Sequence, residues 1–158
     1  MNLATLIPTL ATAMHGASAL TQAERAAELQ PGSDAITAAR RGQRKMRAQH
    51  WMALADVANV AEALAKLGIA SNLAAEIQAA HAALADVFSH QQATGRWECT
   101  APQLAAIDEL LWIYGVQINH CSHGELDAAK RHVREIVTQA RAGNGAPGTV
   151  VHEVRRPL

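Results

Sequence analysis

Apolar residues recur at three- and four-residue steps along most of the chain, the spacing that gathers side chains on one face of a helix. Met46, Ala53, Val57, Val60, Leu64 and Leu67 form one stripe, and Trp51, Leu54, Ala58, Ala61 and Ala65 form a second beside it. Two adjacent stripes predict a helix covered on two sides. The pattern runs from Asp34 to Leu67, with Gly42 as its weakest point and Gly68 as its stop. Ser71 opens the next helix, with Leu73, Ile77, Ala80, Leu84 and Phe88 facing inward and Thr94-Gly95 ending it. The loop that follows, Arg96-Trp-Glu-Cys99, is expected to tuck Trp97 over the other helices.

Three capping boxes sharpen the boundaries: Thr21-Gln-Ala-Glu24, Thr100-Ala-Pro-Gln103 and Ser122-His-Gly-Glu125. In each, the hydroxyl accepts the amide at the third helical position, and the Glu or Gln there reaches back to the cap's own amide. They predict helices over 22–29, where Pro31-Gly32 is a stop, over 102–119, and over 123–141. In the 102–119 helix, Leu104, Ile107, Leu111, Tyr114 and Ile118 share a face, with Leu110, Ile113 and Val116 beside it. Gly115 in its interior suggests a close crossing or a kink. The 123–141 helix has the narrower stripe of Leu126, Ala129, Val133, Ile136 and Ala140 expected of an outer helix. A stripe of Leu3, Ile7, Leu10 and Met14, interrupted by Pro8, marks a further short helix.

The predicted architecture is all-α: an antiparallel bundle of about four core helices, with the 123–141 helix projecting from a three-helix core as the alternative. Residues 1–33 read as a helical appendage and 34–141 as the bundle. Residues 142–158, opening on Ala-Gly-Asn-Gly-Ala-Pro-Gly148, read as a flexible tail. Composition agrees, since roughly one residue in five is Ala and the five aromatics all fall between Trp51 and Tyr114.

The zero net charge hides a division. Residues 49–141 carry ten acids against six bases, whereas residues 1–48 carry six bases against three acids. Five of those bases, Arg40, Arg41, Arg44, Lys45 and Arg47, lie within eight positions, with no acid between Asp34 and Asp56. Such a run serves as a solvated face, or as a surface for phosphates or an acidic protein. No window approaches a membrane span, and the first base is Arg25, too late for a secretory signal, so a cytoplasmic protein with reduced thiols is expected. Cys99 and Cys121 sit at opposite ends of the 102–119 helix, about 27 Å apart at 1.5 Å per residue, which excludes a disulfide or a shared metal within one chain. Cys99, just ahead of that helix's N-terminus, is the thiol whose pKa the dipole would lower if it is exposed.

Candidate chemistry is sparse. His120, Cys121 and His123 are the densest group of metal-capable side chains, short of the four ligands of a structural site. His81, between Ile77 and Leu84 on an inward face, is a candidate buried titratable group. The adjacent Asp108 and Glu109 diverge on a helix and read as solvated. There is no Gly-rich phosphate loop, no His-Glu-x-x-His and no Gly-x-Ser-x-Gly, and the Glu-x-x-His pairs of di-metal bundles do not occur. No catalytic residue and no cofactor are assigned.

Trp51-Met-Ala-Leu-Ala-Asp-Val-Ala-Asn-Val60, Thr94-Gly-Arg-Trp97 and Gln139-Ala-Arg-Ala-Gly-Asn144 resemble segments of small uncharacterised helical proteins carried by bacterial prophages and other mobile elements. The resemblance implies a host-interaction or regulatory accessory and carries no activity or site residue. The leading expectation is therefore a non-enzymatic protein that binds a protein partner or a second copy of itself through a helix face, one of the two stripes of Met46–Leu67 being buried in the bundle and the other offered. The alternatives are a duplex DNA-binding regulator using the basic run and a bundle that binds a small ligand.

Overall fold

The computed structural model describes residues 12–42 and 46–141, and the side chain of Arg141 is not among them. The chain is all-α. After a helical stretch at 12–17 come α1 (Gln22–Arg40), α2 (Ala48–Lys66), a 3-10 turn (Ser71–Leu73), α3 (Ala74–Thr94), α4 (Ala101–His120) and α5 (His123–Arg141). All three capping boxes form. Glu24 N donates to Thr21 Oγ1 at 3.3 Å, Gln103 N to Thr100 Oγ1 at 3.4 Å and Glu125 N to Ser122 Oγ at 3.3 Å, and each acid or amide accepts from its cap in return. The glycines after α2 and α3, Gly68 at φ +92° and Gly95 at φ +75°, take the left-handed turn that ends a helix.

α2 is the hub of the bundle and packs against every other helix, α1, α3, α4 and α5. Most of both stripes is consumed there: Trp51, Leu54, Val57, Ala58, Val60, Ala61, Leu64 and Ala65 are buried, while Leu67 at the end of the first stripe stays 51% exposed. Neither stripe is thus left over as a continuous face to offer, contrary to the sequence expectation. Trp51 donates its indole N–H to Leu84 O at 2.9 Å and meets Phe88 and Trp97 at centroid distances of 5.0 and 5.8 Å, so Trp97 does close over the helices. At the other end of α2, fully buried Gln117 donates to Ala61 O at 2.9 Å and Ile69 O at 3.0 Å, pinning α4 to the α2–α3 turn.

α1 departs from expectation. It runs through Pro31-Gly32, and the boundary drawn at residue 33 falls inside it. Pro31 faces solvent, where water can satisfy the carbonyl its missing N–H leaves free. Gly32 faces the bundle, continued by buried Ala35, Ile36 and Ala39. A Cβ at Gly32 would stand 2.7 Å from Leu111 Cδ2 and 3.4 Å from Val57 Cγ2, so this glycine is a close crossing with α4 and α2, not a helix stop. Gly115, the expected crossing point, has nothing within 4 Å of a built Cβ. The true interruption lies at Arg41-Gly42, where Gly42 takes φ +87° and the helical pattern read across Asp34–Leu67 breaks in two. Met46, in the connection, is buried beside Cys99.

α5 docks on α2 through Leu126, Ala129 and Val133, and its polar face points outward. No helix among the described residues is long and apolar enough to cross a membrane. The tail expected from residue 142 lies outside the described residues, as do residues 1–11 of the first stripe.

Candidate anion-binding cleft

Breaking the basic run between two helices gives it a shape that a continuous helix would not have. Arg40 closes α1, Arg41 is its C-cap, and Arg47 is the residue from which α2 begins. Arg44 and Lys45 lie outside the described residues. Arg40 is turned away: its guanidinium meets Asp108 Oδ1 at 2.5 Å and fastens α1 to α4, so Asp108 is an ion-pair partner rather than the solvated acid expected. That carboxylate raises the Arg40 pKa further.

Arg41 and Arg47 instead face a cleft of about 520 Å³ between the end of α1 and the start of α2, lined also by Asp34, Thr37, Gln49 and His50. His50 was not singled out by the sequence, although it sits three residues beyond Arg47, in the first turn of α2. Its Nδ1 accepts the Arg47 amide at 3.1 Å, which leaves Nε2 as the protonated, donating nitrogen. The first turn of α2 carries no acid, and its N-cap residue Arg47 offers no side-chain acceptor to the helix amides. Asp34 is the one acid in the lining, and Gln30 Nε2 donates to it at 2.7 Å. Among the described residues neither Arg41 nor Arg47 has a carboxylate within ion-pair distance.

The metal candidates do not converge. His120 is exposed at the end of α4. Cys121 is buried, its Sγ directed to Ile118 O at 3.9 Å. His123 pairs with Glu24 at 3.1 Å. No group of three or more His, Cys, Asp or Glu among the described residues is placed to hold a metal ion. Both thiols are free, and burial pushes both pKa values up. For Cys99 this reverses the expected dipole effect, because the thiol lies half-buried against Met46 Sδ at 3.7 Å.

His81 lies half-buried on the inner side of α3, its side chain 15% exposed. Its Nε2 stands 3.3 Å from Glu62 Oε2, and Glu62 also receives Lys66 at 2.8 Å. Burial lowers the His81 pKa, opposed in part by Glu62. The sequence stripes left out one further residue: Trp112, 58% exposed on the outer face of α4, one turn before Gly115. No protein-family model, curated protein or solved structure matches this chain.

Proposed function

We propose that the protein is a non-enzymatic binding protein that holds the phosphate backbone of duplex DNA at the cleft between α1 and α2. The observation that carries this reading is the convergence of Arg41, Arg47 and the His50 Nε2–H on one open cleft, with no carboxylate paired to either guanidinium among the described residues. Guanidinium groups match phosphate oxygens two at a time, and the acid-free first turn of α2 adds a positive helix end on the same side. Arg40 contributes indirectly by fixing the end of α1 against α4. With few positive groups at the cleft, binding is weak and sequence-independent, the regime in which affinity comes from counterion release. An accessory role in a mobile element, as the resemblance implies, accords with such binding.

Fluorescence anisotropy of a labelled duplex at about 50 mM salt is the test. Wild type should bind with an affinity that falls as salt rises, and Arg41→Ala and Arg47→Ala should each reduce the log–log salt slope by about one. Equal binding by wild type and the double variant would overturn the reading.

A protein partner is the second reading, and Trp112 favours it. An exposed indole beside an open Gly115 is the kind of aromatic that anchors interfaces. If it does so, Trp112→Ala abolishes self-association measured by light scattering and leaves DNA binding intact.

A further inference from the structure

The N-terminal stretch returns to the start of α5 and is held there by a compact group of contacts. Ala19 forms an antiparallel bridge with Ser122, and His123 N donates to Ser18 O at 3.0 Å. A Cβ at Gly124 would lie 2.9 Å from Gly16 O, so the two backbones touch directly. Leu20, just beyond, is buried. At the centre is the His123 ring, 15% exposed and 4.3 Å from the His15 ring.

The oxygens placed around this ring favour its charged form. Nε2 faces Glu24 Oε1 at 3.1 Å, and a carboxylate only accepts. Nδ1 faces Ser18 O at 3.0 Å, and a carbonyl only accepts. Nδ1 also lies 3.0 Å from Ser18 Oγ, but that hydroxyl directs its proton to His15 O at 2.6 Å, leaving lone pairs toward the ring. Both ring nitrogens thus face acceptors, Nδ1 within hydrogen-bond reach and Nε2 at ion-pair distance from the carboxylate, and only the imidazolium carries a proton toward both. A neutral ring of either tautomer places one lone pair against an oxygen.

We propose that His123 is a proton-operated latch: as imidazolium it clasps residues 12–20 to the N-terminus of α5, and on losing its proton it releases them. The charged groups around it favour the latched form on balance. Glu24 from α1 and Asp127 from α5 both support the positive ring, whereas the helix N-terminus and a protonated His15 would oppose it. Arg25 is occupied with Leu20 O and Asn119 Oδ1, where it secures the base of the same strap. Consistent with this geometry, the His123 pKa is raised, first by the Glu24 hydrogen bond, and that of Glu24 is drawn down to about 2, first by Thr21. A raised histidine pKa holds the strap fully below the free value of about 6.5 and loses it as pH climbs through the raised value. Glu24 sets the opposite limit, since the clasp weakens as falling pH protonates it toward about 2. The latch is therefore closed at mildly acid pH and opens as pH climbs through the raised His123 value.

The test is an NMR titration of the whole chain from pH 5 to pH 9, following the His123 ring and the amides of Ser18, Ala19 and Leu20. The expected result is one shared midpoint above 6.5. Protection of those amides, corrected for intrinsic exchange, should fall about tenfold for each unit by which the midpoint exceeds 6.5. Glu24→Gln should lower the midpoint, and His123→Asn should abolish the transition while α2 amides stay protected. Amides of 18–20 equally protected at pH 6 and pH 9, or a transition that survives in His123→Asn, overturns the latch. A midpoint that follows His15→Gln instead assigns the proton to the wrong ring and overturns it as well. Neither outcome touches the α1–α2 cleft, which these variants leave unchanged.

Discussion

Two glycines in helix interiors place opposite demands on the chain. At Gly32 the side-chain ends of Leu111 and Val57 reach into the space a Cβ would fill, so any added side chain must displace them, whereas Gly115 has open space around it. Gly32→Val therefore overpacks the crossing against Leu111 and Val57 and is expected to destabilise by about 1–3 kcal/mol. Gly115→Ala gains helix propensity and restricts the unfolded chain, and is expected to stabilise by about 0.5–1 kcal/mol. Denaturant midpoints measure both, and a shift of the same sign for the two would contradict these packing environments. Of the two readings the sequence offered for Gly115, a close crossing or a kink, the crossing belongs instead to Gly32. Spacing along one helix shows which face a residue occupies, but not which partner helix approaches it.

At the scale of elements, the helices from α2 to α5 were legible because each carries both an apolar stripe and a terminal signal. α1 was not, because Pro31 and Gly32 are stop signals locally and acceptable globally. One lies on the wet face and the other lets two helices come close, and the buried run of Ala35, Ile36 and Ala39 outweighs both. The cleft was half legible. The basic residues stood out, but the break at Gly42 that aims Arg41 and Arg47 inward was read only as a weak point in one helix. The latch was hidden altogether, since Ser18, Glu24 and His123 come together across about a hundred residues of chain. α4 also settles the thiol chemistry. Its length keeps Cys99 and Cys121 roughly 30 Å apart. Mild oxidation of the folded monomer is expected to give no internal disulfide, and mass spectrometry checks this. Both thiols should react slowly with a disulfide reagent at pH 7, Cys99 before the more deeply buried Cys121.

Across the whole molecule, two histidines give stability opposite pH dependences. Burial lowers the His81 pKa, so the unfolded chain takes up that proton first and stability is lost as pH falls below about 6.5. The raised pKa of His123 acts on the other side, with its contribution lost as pH rises through the raised value. Melting temperature against pH should therefore peak between the two transitions. His81→Gln should flatten the acid limb and His123→Asn the alkaline limb, and a profile unchanged by His81→Gln would count against a sequestered neutral imidazole.

The central place of α2 also bears on how the chain is made. Synthesis completes α2 when only α1 is available to cover it, yet its remaining surfaces belong to α3, α4 and α5, the last of which ends at Arg141. For the time the ribosome takes to add those three helices, an Ala-rich helix with Trp51, Leu54 and Leu64 stands partly bare. A stalled or prematurely terminated product ending before α4 would keep that surface exposed, making it a client for chaperones or a seed for precipitation, while the full-length product hides it.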